Sequence, residues 1–369
     1  MNAVKKAVNT LPDTLTRFAV DGRIAKGCVI PPLATFGAPL PVSRTLVIPF
    51  DFDSEFVDNL SRSGPFDLDV MRERSGVTVQ IRGVAESEGL IFVHPDQAQL
   101  AEDTGRELRH PVVNSPCVVQ DWLQARGVDC EIFADPERYA GLKKSCRLQV
   151  LAHFALADVM FLAGDGQFAE TLAKLYSTRQ LQMGRRLIAK ASGHAQARSG
   201  STGLAPFVIR FGSHHYRLSL EVVDTIGLHG NASYAELASN VGFTLDAKDT
   251  ISRKGPNADI TRMDEIYFER PEDFDAYALG DLFISDLIYR NEGLWSEIWQ
   301  SLGIGHRFTP PKLTIGSTVA DVLRNRIAEE LGVASGDDDL ILNTTGTHNA
   351  GTLARYAKSK NPISLLSKV

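Results

Sequence analysis

The sequence predicts an α/β fold with a mixed central sheet flanked by helices, and three observations support this prediction. Strand-like runs follow one another at residues 44–52, 76–83 and 89–94, before much helix, and they indicate that the sheet begins with three antiparallel strands. A buried strand-like run at 147–154 then passes directly into a helical pattern. The whole order of elements, β-β-β-α-β-α followed by β-β-α and a long helix, is typical of one α/β or α+β domain.

Periodicity and turn residues assign the remaining elements in chain order. Residues 116–126 predict a helix, and residues 167–191 predict a longer one. The segments FVIRF and YRLSLEVVD then predict a hairpin of two strands. The pattern of residues 271–302 predicts one long helix. Its start is marked by a proline and two acids, which suit the first turn and the helix dipole.

Length and composition limit the classes of protein to consider. The chain has 369 residues, enough for two domains or for one elaborated α/β domain, and 43% of them are hydrophobic, so a disordered chain is excluded. The net charge of −6 argues against a polybasic nucleic-acid binder. If the protein binds nucleic acid, we expect its positive charge to be local or to be supplied by metal ions.

The pattern along the chain predicts three parts and a cytoplasmic protein. Residues 1–43 read as an N-terminal arm, residues 44–307 as the folded domain and residues 308–369 as a C-terminal extension. No run of 18 apolar residues and no apolar signal core is found, so no membrane contact is expected. The four cysteines form neither a Cys-x-x-Cys pair nor a zinc-finger spacing, so reduced thiols are expected.

The first group of acids stands at the end of an apolar strand. Asp51, Asp53 and Glu55 occupy positions i, i+2 and i+4 of LVIPFDFDSEF, so one strand face should present all three. Carboxylates on one face repel each other, and a divalent cation is the usual remedy. The alternative is a strand that becomes polar where it meets solvent.

Two further places put acids where a metal site would need them. Asp158 lies in a run that is apolar apart from His153, so a buried carboxylate there requires a partner such as a metal, unless it caps a helix or lies on an exposed helix face. Tyr277 and Asp281 are four residues apart on a predicted helix and therefore share a face, although such a pair is common in structural helices.

Weaker candidates have simpler explanations. Asp224 follows a strand and also fits a turn or capping residue, and Lys248 also fits a solvated surface lysine. His153 is more often a satisfied core residue than a ligand. Phe52 and Phe154 stand beside the acids and could stack on a base, but core packing explains them as well.

Taken in chain order, these motifs resemble the DEDD superfamily of 3′→5′ exonucleases, in its tyrosine branch. Asp53 and Glu55 match the first motif, AHFALAD with Asp158 the second, and YALGD with Tyr277 and Asp281 the third. The similarity extends over roughly residues 44–295, including the segment VVDTIGLHGNASYAELASNVGFTLDAKDT between the second and third motifs. The closest likeness is to the proofreading domain of family B DNA polymerases of viral and organellar type.

Two features depart from that family. The separation of 105 residues between Asp53 and Asp158 is longer than usual, which predicts an insertion at about residues 96–145. The polymerase signatures Ser-Leu-Tyr-Pro and Asp-Thr-Asp are missing. The chain is therefore expected to be either a piece of a polymerase or a free-standing nuclease.

The resemblance implies an RNase H-like fold and hydrolysis of phosphodiester bonds at single-stranded DNA 3′ ends by two Mg²⁺ or Mn²⁺ ions. It implies that Asp53 bridges both ions, that Glu55 and Asp281 hold the ion that activates water, and that Asp158 helps to hold the other. Tyr277 would orient the attacking water. Implied partners are a DNA or RNA 3′ end and a polymerase domain or other replication proteins.

A basic stretch is the best candidate for following the phosphate backbone, with a solvated helix face as the equal alternative. It contains Lys174, Arg179, Arg185, Arg186, Lys190 and Arg198. Two alternative functions remain from the sequence: an exoribonuclease of the same superfamily, and a non-catalytic RNase H-like binding module. Degenerate modules usually lose acids, and all four acids and Tyr277 are present here.

Overall fold

The fold is taken from a computed structural model, which describes about three fifths of the chain. The described residues are 28–29, 45–58, 74–84, 86–164, 166–177, 202–227, 232–245, 250–252, 258–303, 318–320, 322–323 and 325–326. Contacts divide the chain into two compact units. The first combines Met1–Ile226 with Ala232–Tyr289, and the second combines Gly227–Asn231 with Arg290–Val369. The sheet and all five predicted site residues belong to the first unit. The predicted arm at 1–43 and extension at 308–369 lie almost wholly outside the described residues.

Among the described residues, eight strands form one sheet in the first unit. They are β1 (Cys28–Val29), β2 (Thr45–Asp58), β3 (Arg74–Gly83), β4 (Leu90–Val93), β5 (Cys130–Ala134), β6 (Ser145–Ala152), β7 (Thr202–Phe211) and β8 (His214–Asp224). Seven of them follow the order β4-β3-β2-β6-β8-β7-β5, and the short β1 pairs in parallel with the start of β2.

The sheet is mixed, and the predicted fold class is confirmed. The three strands β2, β3 and β4 are antiparallel neighbours, as the sequence predicts. On its other side β2 pairs in parallel with β6, and β6 with β8. Two antiparallel strands, β7 and β5, complete the sheet beyond β8. This mixed sheet with flanking helices is compatible with an RNase H-like fold.

Nine α-helices have both ends within the described residues. They are α1 (Pro95–Thr104), α2 (Val118–Ala125), α3 (Pro136–Gly141), α4 (Ala155–Asp158), α5 (Gly166–Ser177), α6 (Tyr234–Asn240), α7 (Met263–Glu269), α8 (Pro271–Gly280) and α9 (Ile284–Ser301). Residues 96–145, predicted as an insertion, hold α1 to α3 and β5, so this segment supplies the outermost strand of the sheet. The predicted helix at 167–191 is described as far as Ser177.

The prediction of one long helix over 271–302 is wrong. The chain ends α8 at Gly280, turns through Asp281, and begins α9 at Ile284. Contacts made by the turn explain the break, since the backbone N–H of Ser285 donates to Asp51 Oδ1 at 2.8 Å. Apolar periodicity continues through this corner, so the pattern in the sequence does not reveal the break.

The core of the first unit has two layers, one on each face of the sheet. Alternate residues of a strand point to opposite faces, and in β4 the side chain of Phe92 belongs to one apolar cluster while Ile91 and Val93 belong to the other. The first cluster includes Trp122 of α2. The second cluster includes Phe274 of α8 and residues of α7. Helices α7 and α8 therefore cover the face to which Ile91 and Val93 point.

In the second unit, the described apolar contacts centre on Trp299 and Val322, with Trp295 packed against them. Among all the described residues, no helix is both long and apolar enough to cross a membrane.

Candidate active site

The candidate site is a group of three carboxylates from distant parts of the chain. Asp53 and Glu55 lie on β2, and Asp281 lies at the C-terminal cap of α8. Each contributes one carboxylate oxygen to a set whose members all lie within 4.8 Å of one another. Glu55 is buried, with 6% of its surface exposed, and Asp53 is partly buried.

The geometry of β2 explains why these two acids share a site. Residues two apart on a strand point to the same face, and the pairing of β2 with β3 is regular from Phe50 to Glu55 and shifts only after Glu55. The parallel pairing with β6 has already ended at Asp51. Asp53 and Glu55 therefore stand on the length of β2 that extends past β6.

Asp158 is not a member of this group, and it bonds to β2 through Ser54, which points to the opposite face of the strand. The Ser54 hydroxyl donates a 2.8 Å hydrogen bond to Asp158 Oδ1, and the residue is 4% exposed. The pKa of Asp158 is raised to about 8, mainly by burial; the carboxylates of Asp281 and Asp224 contribute to the rise, and the hydrogen bond from Ser54 opposes it. The fourth predicted acid is therefore in electrostatic contact with Asp281, and its role as a ligand stays a prediction.

Tyr277 lies one helical turn before Asp281. Its side chain is 2% exposed and belongs to the apolar cluster that includes Phe274, Ile91 and Val93. The ring is thus fixed by packing between α8 and the sheet. Its predicted part in orienting water stays a prediction.

Asp51 shares a strand face with Asp53 and Glu55, as the sequence predicts, but it is not one of the converging carboxylates. Its carboxylate is fully buried and bonded to Arg82, with Nη2 at 2.7 Å and Nε at 3.0 Å from Oδ2. The Ser285 hydroxyl donates to the same oxygen at 2.7 Å, and Arg82 also pairs with Asp286. Burial nevertheless raises the pKa of Asp51 to about 6. This network joins β2 and β3 to the start of α9, next to the three carboxylates.

Asp224 acts as a turn residue, which was the simpler of its two interpretations. Its Oδ1 accepts backbone N–H bonds from Phe154 at 2.9 Å and Ile226 at 3.0 Å. Phe154 has a φ of 65°, so Asp224 stabilises a left-handed backbone conformation that a phenylalanine rarely adopts. The neighbouring His153 ring bonds through Nδ1 to the Thr225 hydroxyl at 2.9 Å.

Of the other weak candidates, one lies in the core and the rest lie mostly outside the described residues. Phe52 is fully buried in the first apolar cluster, so packing is its role. Lys248 lies outside the described residues, and so does the predicted basic stretch beyond Ser177.

Sequence reasoning missed two buried polar side chains of β3. Gln80 pairs with Asp53 and Thr78 pairs with Glu55 across the antiparallel ladder, so these four side chains share a face. Gln80 Nε2 donates to the Thr78 hydroxyl at 2.6 Å, and both residues are fully buried. Among the described residues, Gln80 Oε1 has no hydrogen-bond partner. The polar alternation in SGVTVQIR was the available signal.

Sequence reasoning also missed Tyr234, the first residue of α6. The side chain is 5% exposed, and its hydroxyl accepts a hydrogen bond from the backbone N–H of Phe283 at 3.1 Å. Burial raises the pKa of Tyr234 well above its ordinary value, and the carboxylates of Asp281, Asp51 and Asp53 contribute to the rise. No local pattern in the sequence marks this tyrosine.

The chain was compared with protein-family models, with characterised proteins and with solved structures, and none of them matches it. The chemistry of the site therefore has to be judged from its donor atoms. Three carboxylates and a buried amide oxygen are hard oxygen donors, the kind that Mg²⁺ and Mn²⁺ bind.

Proposed function

We propose that this chain is a metal-dependent 3′→5′ exonuclease that hydrolyses phosphodiester bonds at single-stranded DNA ends. The observation that carries the proposal is the convergence of Asp53, Glu55 and Asp281. These are three of the four acids that the resemblance to the DEDD exonucleases singles out, and Asp158 is the fourth. The three come from two segments that are far apart in the sequence, so a cluster within one acidic loop would not explain them.

The donor set fits a divalent cation. Three carboxylate oxygens within 4.8 Å repel each other in the folded chain, and a cation between them would offset that repulsion. Gln80 adds an amide oxygen on the same sheet face, which has no hydrogen-bond partner among the described residues. Two Mg²⁺ or Mn²⁺ ions bound here would supply an activated water and charge neutralisation at the leaving 3′-oxygen.

The protein's own residues position the carboxylates of the site. Asp53 on β2 and Asp281 at the end of α8 would bind the cation, and burial fixes the Glu55 carboxylate. Ser54 keeps the Asp158 carboxyl at a fixed place through its 2.8 Å hydrogen bond. In this proposal Tyr277, one turn before Asp281, orients the attacking water.

The resemblance to the DEDD exonucleases also supports a proposal for the substrate and the partners. We propose DNA as the substrate, and a polymerase domain or replication proteins as partners. A cytoplasmic location is supported by free, buried thiols at Cys117, Cys130 and Cys146.

A gel assay with 5′-labelled single-stranded DNA tests the proposal. With Mg²⁺ or Mn²⁺ we expect a ladder of products shortened from the 3′ end, and with excess EDTA we expect none. Asp53→Asn should abolish the ladder. Asp129→Asn, a change to a side chain that is 71% exposed, is the matched control and should leave it unchanged. Digestion that survives EDTA, or equal cutting of a circular strand, would refute the proposal.

A further inference from the structure

Tyr234 connects helix α6 with the corner between α8 and α9, which carries Asp281. It is the first residue of α6, and α6 starts at a fixed place because Ser233 and Glu236 form a reciprocal capping box. The Tyr234 ring packs edge-on against His153, with 5.6 Å between ring centroids. Its backbone and its ring are therefore both held, and the hydroxyl is presented at a defined position.

That hydroxyl reaches the corner that carries Asp281. The backbone N–H of Phe283, two residues after Asp281, donates to it at 3.1 Å. Two residues further on, the Ser285 backbone N–H is bonded to Asp51 at 2.8 Å. The corner between α8 and α9 is thus attached to α6 on one side and to β2 on the other.

The attachment to α6 has a direct consequence for Asp281. Asp281 is the C-cap of α8, where no further helical turn restrains the backbone. The residues that follow therefore set the orientation of Asp281. Here the next residues are fixed by Tyr234 and Asp51. The Tyr234 hydroxyl also lies in the electrostatic field of Asp281 and Asp53, as close neighbours must.

We propose that Tyr234 is a positioning residue for the metal site, holding Asp281 within reach of Asp53 and Glu55. The inference rests on the proposed function, because it assumes that these three acids bind a divalent cation. Tyr234 acts through the backbone of the α8–α9 corner and needs no contact with substrate. Its removal should therefore weaken metal binding and leave the chemical step intact once metal is bound.

The test compares Tyr234→Phe with Tyr267→Phe in the full chain, by calorimetric titration with Mn²⁺ alone. Tyr267 is a matched control, because the tyrosine is buried and its hydroxyl also accepts a backbone N–H bond at 3.1 Å, from Arg109. We expect the Kd for Mn²⁺ to rise about fivefold in Tyr234→Phe, equivalent to one hydrogen bond, and to stay at the wild-type value in Tyr267→Phe. Saturating Mn²⁺ should restore cleavage by Tyr234→Phe to the wild-type rate.

Three results would overturn the inference. Wild-type Mn²⁺ affinity in Tyr234→Phe would show that the hydroxyl does not position Asp281, while the proposed function would stand. A cleavage defect that persists at saturating Mn²⁺ would show that Tyr234 acts on the substrate or on the chemical step. If the wild type itself binds no Mn²⁺, the proposed function fails, and this inference fails with it.

Discussion

At the scale of single residues, burial outweighs the nearest partners and raises the pKa of three buried acids, Asp51, Asp158 and Glu221. Glu221 of β8 is bonded to Arg147 and Gln149, each at 3.2 Å from Oε2. Burial nevertheless raises the pKa of Glu221 to about 7, although Arg147 opposes the shift. The folded protein therefore keeps this proton up to about pH 7, whereas the unfolded chain releases it near pH 4.5.

This difference predicts a pH-dependent gain from Glu221→Gln. Ionisation of Glu221 between pH 4.5 and 7 favours the unfolded state, so the wild type loses stability over this interval. The neutral variant does not. Its advantage in the free energy of unfolding should grow with pH and level off above pH 7, at roughly 3 kcal/mol more than at pH 4.5. Urea unfolding at several pH values measures it, and an advantage that is constant with pH would contradict the assignment.

Asp53 should favour metal binding at the expense of the stability of the metal-free fold. Asp53→Asn removes one of three mutually repelling carboxylates, so the free energy of unfolding in metal-free buffer should rise by about 0.5–1 kcal/mol. Added Mn²⁺ should raise the Tm of the wild type and not that of the variant. A lower Tm for the variant without metal would show that Asp53 is a structural anchor.

At the scale of elements, close packing between segments matters more than local propensity. Gly164 precedes α5, and its N–H bonds to the Pro116 carbonyl at 3.0 Å. A Cβ added at Gly164 would lie 2.2 Å from the backbone oxygen of Ser115. Gly293, inside α9, is the opposite case, since a Cβ there meets nothing within 4 Å.

The two glycines therefore predict opposite effects of the same substitution. Gly164→Ala should lower the free energy of unfolding by about 1–3 kcal/mol, because backbone has to move to relieve the clash. Gly293→Ala should raise it by about 0.5–1 kcal/mol, because alanine is the better helix former. Thermal unfolding of both variants checks this, and a neutral Gly164→Ala would mean that the segment at Ser115 is not packed as described.

The broken helix shows why elements were harder to predict than the fold class. Residues 271–302 keep an apolar period through Asp281, and Gly280 alone is a weak local signal of a turn. The turn is made by hydrogen bonds to Tyr234 and Asp51, which are distant in sequence. The edge strand β5 was missed for the same reason, because its pairing with β7 is a long-range event.

At the scale of the whole molecule, the order of strand-like and helical runs was enough to predict the mixed sheet. It was also enough to predict that the first three strands are antiparallel. Which acids converge was predictable in part: Asp53, Glu55 and Asp281 meet, whereas Asp51 is paired with Arg82. Gln80 was not predicted because its position opposite Asp53 depends on strand register, and Tyr234 was not predicted because its contact with Phe283 is tertiary. The sequence pattern indicates neither.

In the proposed function, the three converging carboxylates bind the cation used for hydrolysis. Anomalous diffraction from crystals of the full chain soaked in Mn²⁺ tests this claim most directly. We predict a peak about 2.0–2.3 Å from carboxylate oxygens of Asp53, Glu55 and Asp281, at a Mn²⁺ concentration that supports cleavage of single-stranded DNA. The same soak of Asp53→Asn should lose the peak. A wild-type map with no peak at these three residues, under conditions in which DNA is cleaved, would contradict the account.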